Sequence, residues 1–291
     1  MERKLKDYLM LSVKGMCMGA ADVVPGVSGG TIAFITGIYD ELINSIKSIN
    51  AASLKMFFTG KWGEFWKMIN GKFLLFLLAG IGISVFSLAK IITWLLVAYP
   101  VLVWSFFFGL VLASTWFVGK DVKERNWKTG LGFLLGAALA FYITVATPAE
   151  TPSHFLFIFL CGAIAICAMI LPGISGSFIL VLLGKYFFIM EAVKALDLKV
   201  IAIFGIGACV GITSFSRLLS YALSHMRNIT LAVLSGFMLG SLNKVWPWKE
   251  TIEGVEQNVA PNAFVWQAVC LALLGFVMVY GIEKISSKSE N

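Results

Sequence analysis

Val23-Val24-Pro25-Gly26-Val27-Ser28-Gly29-Gly30-Thr31 and Ile170-Leu171-Pro172-Gly173-Ile174-Ser175-Gly176-Ser177 are the stretches whose reading decides the fold. Each interrupts an apolar region, near 11–38 and 155–188. Proline removes a backbone donor and glycine gives up helix propensity, so no helix runs smoothly through either stretch. Each region is long enough for two half-helices joined by a turn. We read both as re-entrant hairpins that enter and leave a membrane on one side; the competing reading is a pair of kinked spanning helices.

A membrane is required by the composition. Of 291 residues, 59% are hydrophobic and 13% charged, with a mean hydropathy of +0.87, too little charge for a soluble domain of this length. Further apolar spans fall near 73–98, 101–119, 130–147, 200–222, 229–246 and 263–282, around the ~20 residues a helix needs to cross a bilayer. The net charge of +7 sits in short loops and tails, where Lys and Arg orient a membrane chain, so no nucleic-acid partner is expected. Cys17, Cys161, Cys167, Cys209 and Cys270 lie in apolar segments without metal-ligand spacing and read as packing residues. No metal or organic cofactor is expected. The basic start (Arg3, Lys4, Lys6) suggests a signal peptide, but Lys14, Asp22 and Pro25 break the run that follows, so it is read as retained.

The chain is also duplicated. An offset of 147 residues aligns Gly15 with Gly162, Pro25 to Gly29 with Pro172 to Gly176, Gly37 with Gly184 and Tyr39 with Tyr186. An offset of 127 aligns Gly80 with Gly207, Lys90 with Arg217, Gly109 with Gly236 and Ser114 with Ser241, and a weaker echo pairs Leu135-Gly136 with Leu274-Gly275. The expected fold is an all-α polytopic membrane protein of two repeats, each a re-entrant helical hairpin plus three transmembrane helices. Residues 1–128 hold the first hairpin, an amphipathic segment and two spans; 129–150 hold the third span; 151–291 hold the second repeat. Three spans per copy is an odd number, so the second copy must enter the membrane inverted. Inverted repeats with broken helices meeting near the midplane are a recurring design of secondary transporters.

Loop charge fits that count. With a cytoplasmic N-terminus, the lysine-bearing segments 41–72 and 120–128, His225 with Arg227, and the C-terminal tail lie inside. Tyr99-Pro100, the loop from Thr147 to Ser153, and the loop with Glu250, Glu253 and Glu256 lie outside, in keeping with the positive-inside bias. Segment 189–199, with Lys194 and Lys199 against Glu191 and Asp197, also falls outside and fits least well. Phe57, Phe58, Trp62, Phe65 and Trp66, interleaved with lysines, suit a stretch lying on an anionic cytoplasmic leaflet or a helix capping the protein.

A half-helix that begins inside a membrane presents unpaired N–H groups and a positive dipole end. Gly26, Gly29, Gly30, Gly173 and Gly176 admit a ligand to the backbone, and Ser28, Thr31, Ser175 and Ser177 add hydroxyls. That composition makes the turns candidate halves of one anion site, suited to phosphate; alternatively, these residues only shape the turns. Lys90 and Arg217 occupy equivalent repeat positions, where an intramembrane cation either faces a cavity or snorkels to the interface. Asp22, with Met169 in the equivalent place, is a candidate carrier of a coupling H+ or Na+, a partner for Lys14, or a helix cap.

With GMCMGAADVVPGVSGGTIAFITGIYDELI and ILPGISGSFILVLLGKY in view, the chain resembles the polyprenyl-phosphate transporter family of prokaryotic membrane proteins, over nearly its whole length. The matching motif positions are Asp22, Pro25, Gly26, Ser28, Gly29, Gly30 and Thr31, then Pro172, Gly173, Ser175 and Gly176. The resemblance implies a multi-pass protein of the cytoplasmic membrane that returns undecaprenyl phosphate, the lipid carrier of cell-wall precursors, from the outer to the inner leaflet. The physics of the turns agrees: a phosphate headgroup needs donors within the bilayer, while its prenyl tail can stay in lipid. No G-x-x-x-x-G-K-[ST] motif is present, so ATP is not the expected energy source. Two rivals stand beside this reading. One is a transporter of a small soluble anion, distinguished by whether the cavity opens sideways to lipid. The other is an intramembrane serine hydrolase using one G-x-S-G serine, which needs a base, and the only histidines are His154 and His225. Oligomeric state is left open.

Overall fold

The structure, a computed structural model, describes residues 3–24, 26–148, 151–252 and 255–289. Pro25 of the first turn and Glu253 of the loop before the last helix lie outside the described residues. The first copy comprises α1 (Leu5–Val23), α2 (Gly29–Ile35), α3 (Tyr39–Lys47), α4 (Ala51–Phe58), α5 (Trp62–Met68), α6 (Gly71–Ala98), α7 (Pro100–Lys120) and α8 (Trp127–Val145). The second comprises α9 (Phe155–Ile170), α10 (Gly176–Leu182), α11 (Tyr186–Lys194), α12 (Leu198–His225) and α13 (Arg227–Ser241). An antiparallel pair, β1 (Lys249–Ile252) and β2 (Val255–Asn258), then precedes α14 (Val265–Ser289). Among the described residues five helices are long and apolar enough to cross a membrane, or six if the bent pair α10–α11 is one span. The chain is therefore an all-α polytopic membrane protein, with one small β-hairpin among the described residues.

Helix packing repeats with the sequence. α1 lies along α6 and α9 along α12, while α7 packs on α14 and α13 on α8, so the last helix of each copy seals against the other copy. Glycines without side chains allow the close approaches, as expected where no hydrophobic effect separates helix from lipid. A Cβ on Gly80 would lie 2.0 Å from the Ser12 carbonyl, and one on Gly207 2.0 Å from the Phe159 carbonyl. Gly109 against Ala272 and Gly236 against Phe133 are the corresponding pair across the copies. The offsets mark where the copies differ. Its fall from 147 to 127 falls on α4 and α5, which only the first copy has, and its later rise falls on β1 and β2, which only the second has.

Two sequence expectations are corrected. The span placed near 229–246 is helical for only 15 residues, about 22 Å, and falls short of a ~30 Å hydrocarbon core. Successive turns at Lys244 and Val245 end it, just before Pro247, which disfavours helix in the residue preceding it. The half-helices are also followed by further short helices: Gly37 (φ +71°) and Gly184 (φ +61°) turn the chain into α3 and α11, and α10 meets α11 at 111°. The fold-back at each Pro-Gly turn is as expected. The start of α2 returns to Asp22 of α1, and the start of α10 to Ala165 of α9.

The loops meet in two groups, at opposite ends of α6. At one end Arg3 pairs with Glu41 and Arg227 with Asp40; Asn70 donates to Glu41, Lys47 to Ser220, and the Lys123 N–H to Asn228. At the other, Lys185 donates to the Thr151 carbonyl, Asn243 donates to Thr144, and Lys199 lies over the Phe155 ring. Each group joins segments that loop charge places on one side, with Lys199 of the segment 189–199 in the second group. α4 and α5 sit on the first end with Phe58 and Trp62 exposed.

Candidate functional site

The two Pro-Gly-x-Ser-Gly turns meet in the interior. Gly26 (φ +85°) and Gly173 (φ +99°) adopt conformations that L side chains rarely take, so glycine is required where each chain doubles back. The Gly26 N–H donates to Ser175 Oγ at 3.3 Å, and the Gly173 N–H donates to Thr31 Oγ1 at 3.1 Å. The same backbone donor of each copy thus reaches a hydroxyl of the other. Ser28 Oγ donates to the Met169 carbonyl (3.0 Å) and Tyr39 to the Ile170 carbonyl (3.2 Å), tying the first turn to the end of α9. Gly26 to Thr31 and Pro172 to Gly176 are buried, and Ser177 is half-buried.

Capping fixes both half-helices. Ser28 accepts from the Gly30 N–H and Ser175 from the Phe178 N–H, the expected work of a serine preceding a helix. Ser177 Oγ lies 3.2 Å from Ser175 Oγ. Asp22 Oδ1 accepts from the Gly29 N–H at 2.7 Å, so of the roles open to it the structure shows the cap. In this arrangement the N–H groups of Gly26, Gly29, Gly30 and Gly173 are all engaged, and an anion would reach them only by replacing a hydroxyl or carboxylate of the protein.

Lys90 and Arg217 do not join the turns. Both are exposed, and neither has a hydrogen-bond or ion-pair partner among the described residues. Each follows a seam glycine (Gly80, Gly207) by ten residues, which at 100° per residue places it about 80° around the helix from the packed face. The cation at the turns is one that comparing the copies passed over. Lys244 lays its stem across Gly26, where a Cβ would stand 2.7 Å from Lys244 Cγ, and holds its ammonium 4.7 Å from the centre of the Phe178 ring. Its equivalent in the first copy is Phe117, so no repeated charge marks it. The available signal was composition: Lys244-Val-Trp-Pro-Trp-Lys249 sets two cations among tryptophans beside a span end.

Lys249 lies beyond Lys244, donating to the Lys244 carbonyl at 2.7 Å and sitting 3.9 Å from the centre of the Trp104 ring. Burial, helped by the nearby Lys244 charge, pushes the Lys249 ammonium down to about 8. Glu256 on β2 reaches both lysines, at 3.3 and 4.0 Å. A cavity of about 300 Å³ opens here between Pro100, Trp104, Lys249 and Glu256. A larger groove, about 710 Å³, runs between α7, α8 and α13 toward the other end; Leu112, Trp116, Phe133 and Leu239 line it, and Lys120 and Arg125 stand at its mouth. Leu112 and Trp116 are exposed on the side of the helix bundle. The histidines serve local structure. His154 accepts from the Phe157 N–H at the start of α9, and His225 stacks on Tyr221; neither approaches Ser28 or Ser175.

Known proteins match this chain over nearly its full length. The family model described as "VCA0040-like: Undecaprenyl phosphate translocase-like" matches residues 18–265, which include both turns. A protein of Vibrio cholerae serotype O1 named "Polyprenyl-phosphate transporter" is 44% identical, covering 99% of this chain and 100% of the relative. A Staphylococcus aureus protein of the same name is 30% identical, covering 96% of this chain and 97% of the relative. No solved structure matches the chain.

Proposed function

The chain belongs to the VCA0040-like, undecaprenyl phosphate translocase-like family, and from that premise we propose that it transports polyprenyl phosphate across the cytoplasmic membrane of a prokaryote. In this reading undecaprenyl phosphate moves from the outer to the inner leaflet for reuse in envelope synthesis, and both termini are cytoplasmic. The observation that carries it is the joining of the two turns by reciprocal bonds from Gly26 to Ser175 and from Gly173 to Thr31. Parting the turns frees paired N–H groups and hydroxyls on both copies at once, a donor set suited to phosphate. The headgroup residues are Gly26, Ser28, Gly29, Gly30 and Thr31 with Gly173, Ser175, Gly176 and Ser177.

Two inverted copies provide inward- and outward-open states of similar energy, by rocking about the shared site. Asp22, beside the first turn, carries the coupling H+ or Na+. α4 and α5 rest on the anionic cytoplasmic leaflet through Phe58 and Trp62. The apolar groove on the flank of α7, with Lys120 and Arg125 at its mouth, favours a lipid over a small soluble anion, because a prenyl chain can occupy it while remaining continuous with the bilayer.

Depleting the protein, together with any redundant carrier, tests this reading in cells. Undecaprenyl phosphate should accumulate on the outer surface; an unchanged surface level would contradict it.

A further inference from the structure

The insertion peculiar to the second copy is joined to the turns by the Lys244 side chain. Lys244 leaves the end of α13, crosses Gly26, and ends between the Phe178 ring of α10 and Glu256 of β2. It therefore touches the first turn, the second half-helix and the inserted hairpin together. The local charge is unbalanced, since among the described residues Lys244 and Lys249 share the one carboxylate of Glu256. Lys244 is mostly buried, its side chain 20% exposed, whereas Glu256 is 59% exposed. A mostly buried cation held by an exposed carboxylate is poised for exchange of its counter-ion, because the carboxylate recovers hydration on leaving. A phosphate monoester carries more charge than the carboxylate and has three acceptor oxygens, so it can engage both lysines together.

We propose that Lys244 and Lys249 form the entry site for a phosphate monoester, with Glu256 as the resident stand-in that the phosphate displaces. The site lies at the end bearing the β-hairpin, directly above the first turn. Displacement of Glu256 frees the hairpin from Lys244 and delivers the phosphate beside Gly26. A glycine is needed at position 26 on this account for a second reason: the Lys244 stem occupies the space a side chain would fill. The entry role rests on the transport reading above, but the binding site does not require that transport follow.

Binding by the full-length protein in detergent, measured by titration calorimetry with farnesyl phosphate and separately with inorganic phosphate, tests the assignment. Lys244→Gln should weaken farnesyl phosphate at least tenfold and Lys249→Gln several-fold, while Glu256→Gln should tighten it several-fold by removing the competitor. Melting temperatures in detergent would establish that each variant is folded. The opposite signs at Lys244 and Glu256 exclude a general loss of structure as the cause. If the wild type binds farnesyl phosphate and neither Lys244→Gln nor Glu256→Gln alters it, the entry site is wrong and the transport reading stands. If inorganic phosphate binds with this variant pattern and farnesyl phosphate does not bind, the entry site stands and the lipid reading fails. Binding of neither probe would overturn both.

Discussion

The two turns share a backbone and differ in what surrounds it. Both double back at a positive-φ glycine, both cap the next half-helix with serine, and each receives an N–H bond from the other. The first turn carries Asp22 where the second carries Met169, and Thr31 where the second carries Phe178. Asp22 therefore holds Gly29 in the first turn, while the equivalent side of the second turn is apolar and lies beneath Lys244 through Phe178. Duplication thus accounts for the shared shape, and divergence has put a carboxylate on one turn and a cation-facing ring on the other. A symmetric pair would bind an anion identically from either end; this pair offers different chemistry at each half.

Substitution at the two positive-φ glycines should break the comparison most strongly. Gly173→Ala sets a Cβ 2.7 Å from Ser241 Oγ and 3.1 Å from the Met238 Cα, whereas Gly26→Ala meets the flexible stem of Lys244. Both pay a left-handed penalty of about 1–2 kcal/mol. Gly173→Ala should abolish monodisperse protein on size exclusion in detergent, and Gly26→Ala should yield folded protein with a lowered melting temperature. Next in size is Ser175→Ala, which strands the N–H groups of Gly26 and Phe178, against Thr31→Val, which strands only that of Gly173. At about 1–3 kcal/mol for each buried donor left unsatisfied, Ser175→Ala should lower the denaturation midpoint about twice as far.

Asp22→Asn sharpens the comparison more gently. The amide oxygen can still accept from Gly29, so stability should change by less than about 1 kcal/mol, while transport should lose its dependence on a proton or sodium gradient. Retained gradient dependence would leave Asp22 as a cap alone. The smallest effect is expected at Lys90→Gln and Arg217→Gln, which the structure places away from both turns. Transport within twofold of wild type would agree with that placement, and a tenfold loss in either would put a cation back into the path.

Much of this architecture was legible in the sequence because it is carried by residue types with few substitutes. Pro-Gly-x-Ser-Gly marked the fold-backs, and Gly80, Gly109, Gly207 and Gly236, which mark the repeat register in the sequence, form the seams in the structure, since no larger residue fits against the facing carbonyls. The two loop groups could be read from lysines and arginines. The short α13 was hidden, because residues 242–246 are apolar enough to read as span although they turn. The separation of Lys90 and Arg217 from the turns was hidden for a related reason. Repeat register fixes the height of Lys90 and Arg217 along their helices but not their direction, which ten residues of helical rotation set. Lys244 belongs to a part of the second copy whose equivalent is Phe117, so a comparison of copies had nothing to align it with.

Transfer of labelled undecaprenyl phosphate between the leaflets of proteoliposomes, with the purified protein as the only protein present, tests the central claim most directly. Wild type should speed transfer well above protein-free vesicles, and the double variant Thr31→Val with Ser175→Ala, recovered folded, should slow it at least tenfold. Transfer no faster than in protein-free vesicles, or a folded double variant as fast as wild type, would contradict a phosphate path through the paired turns.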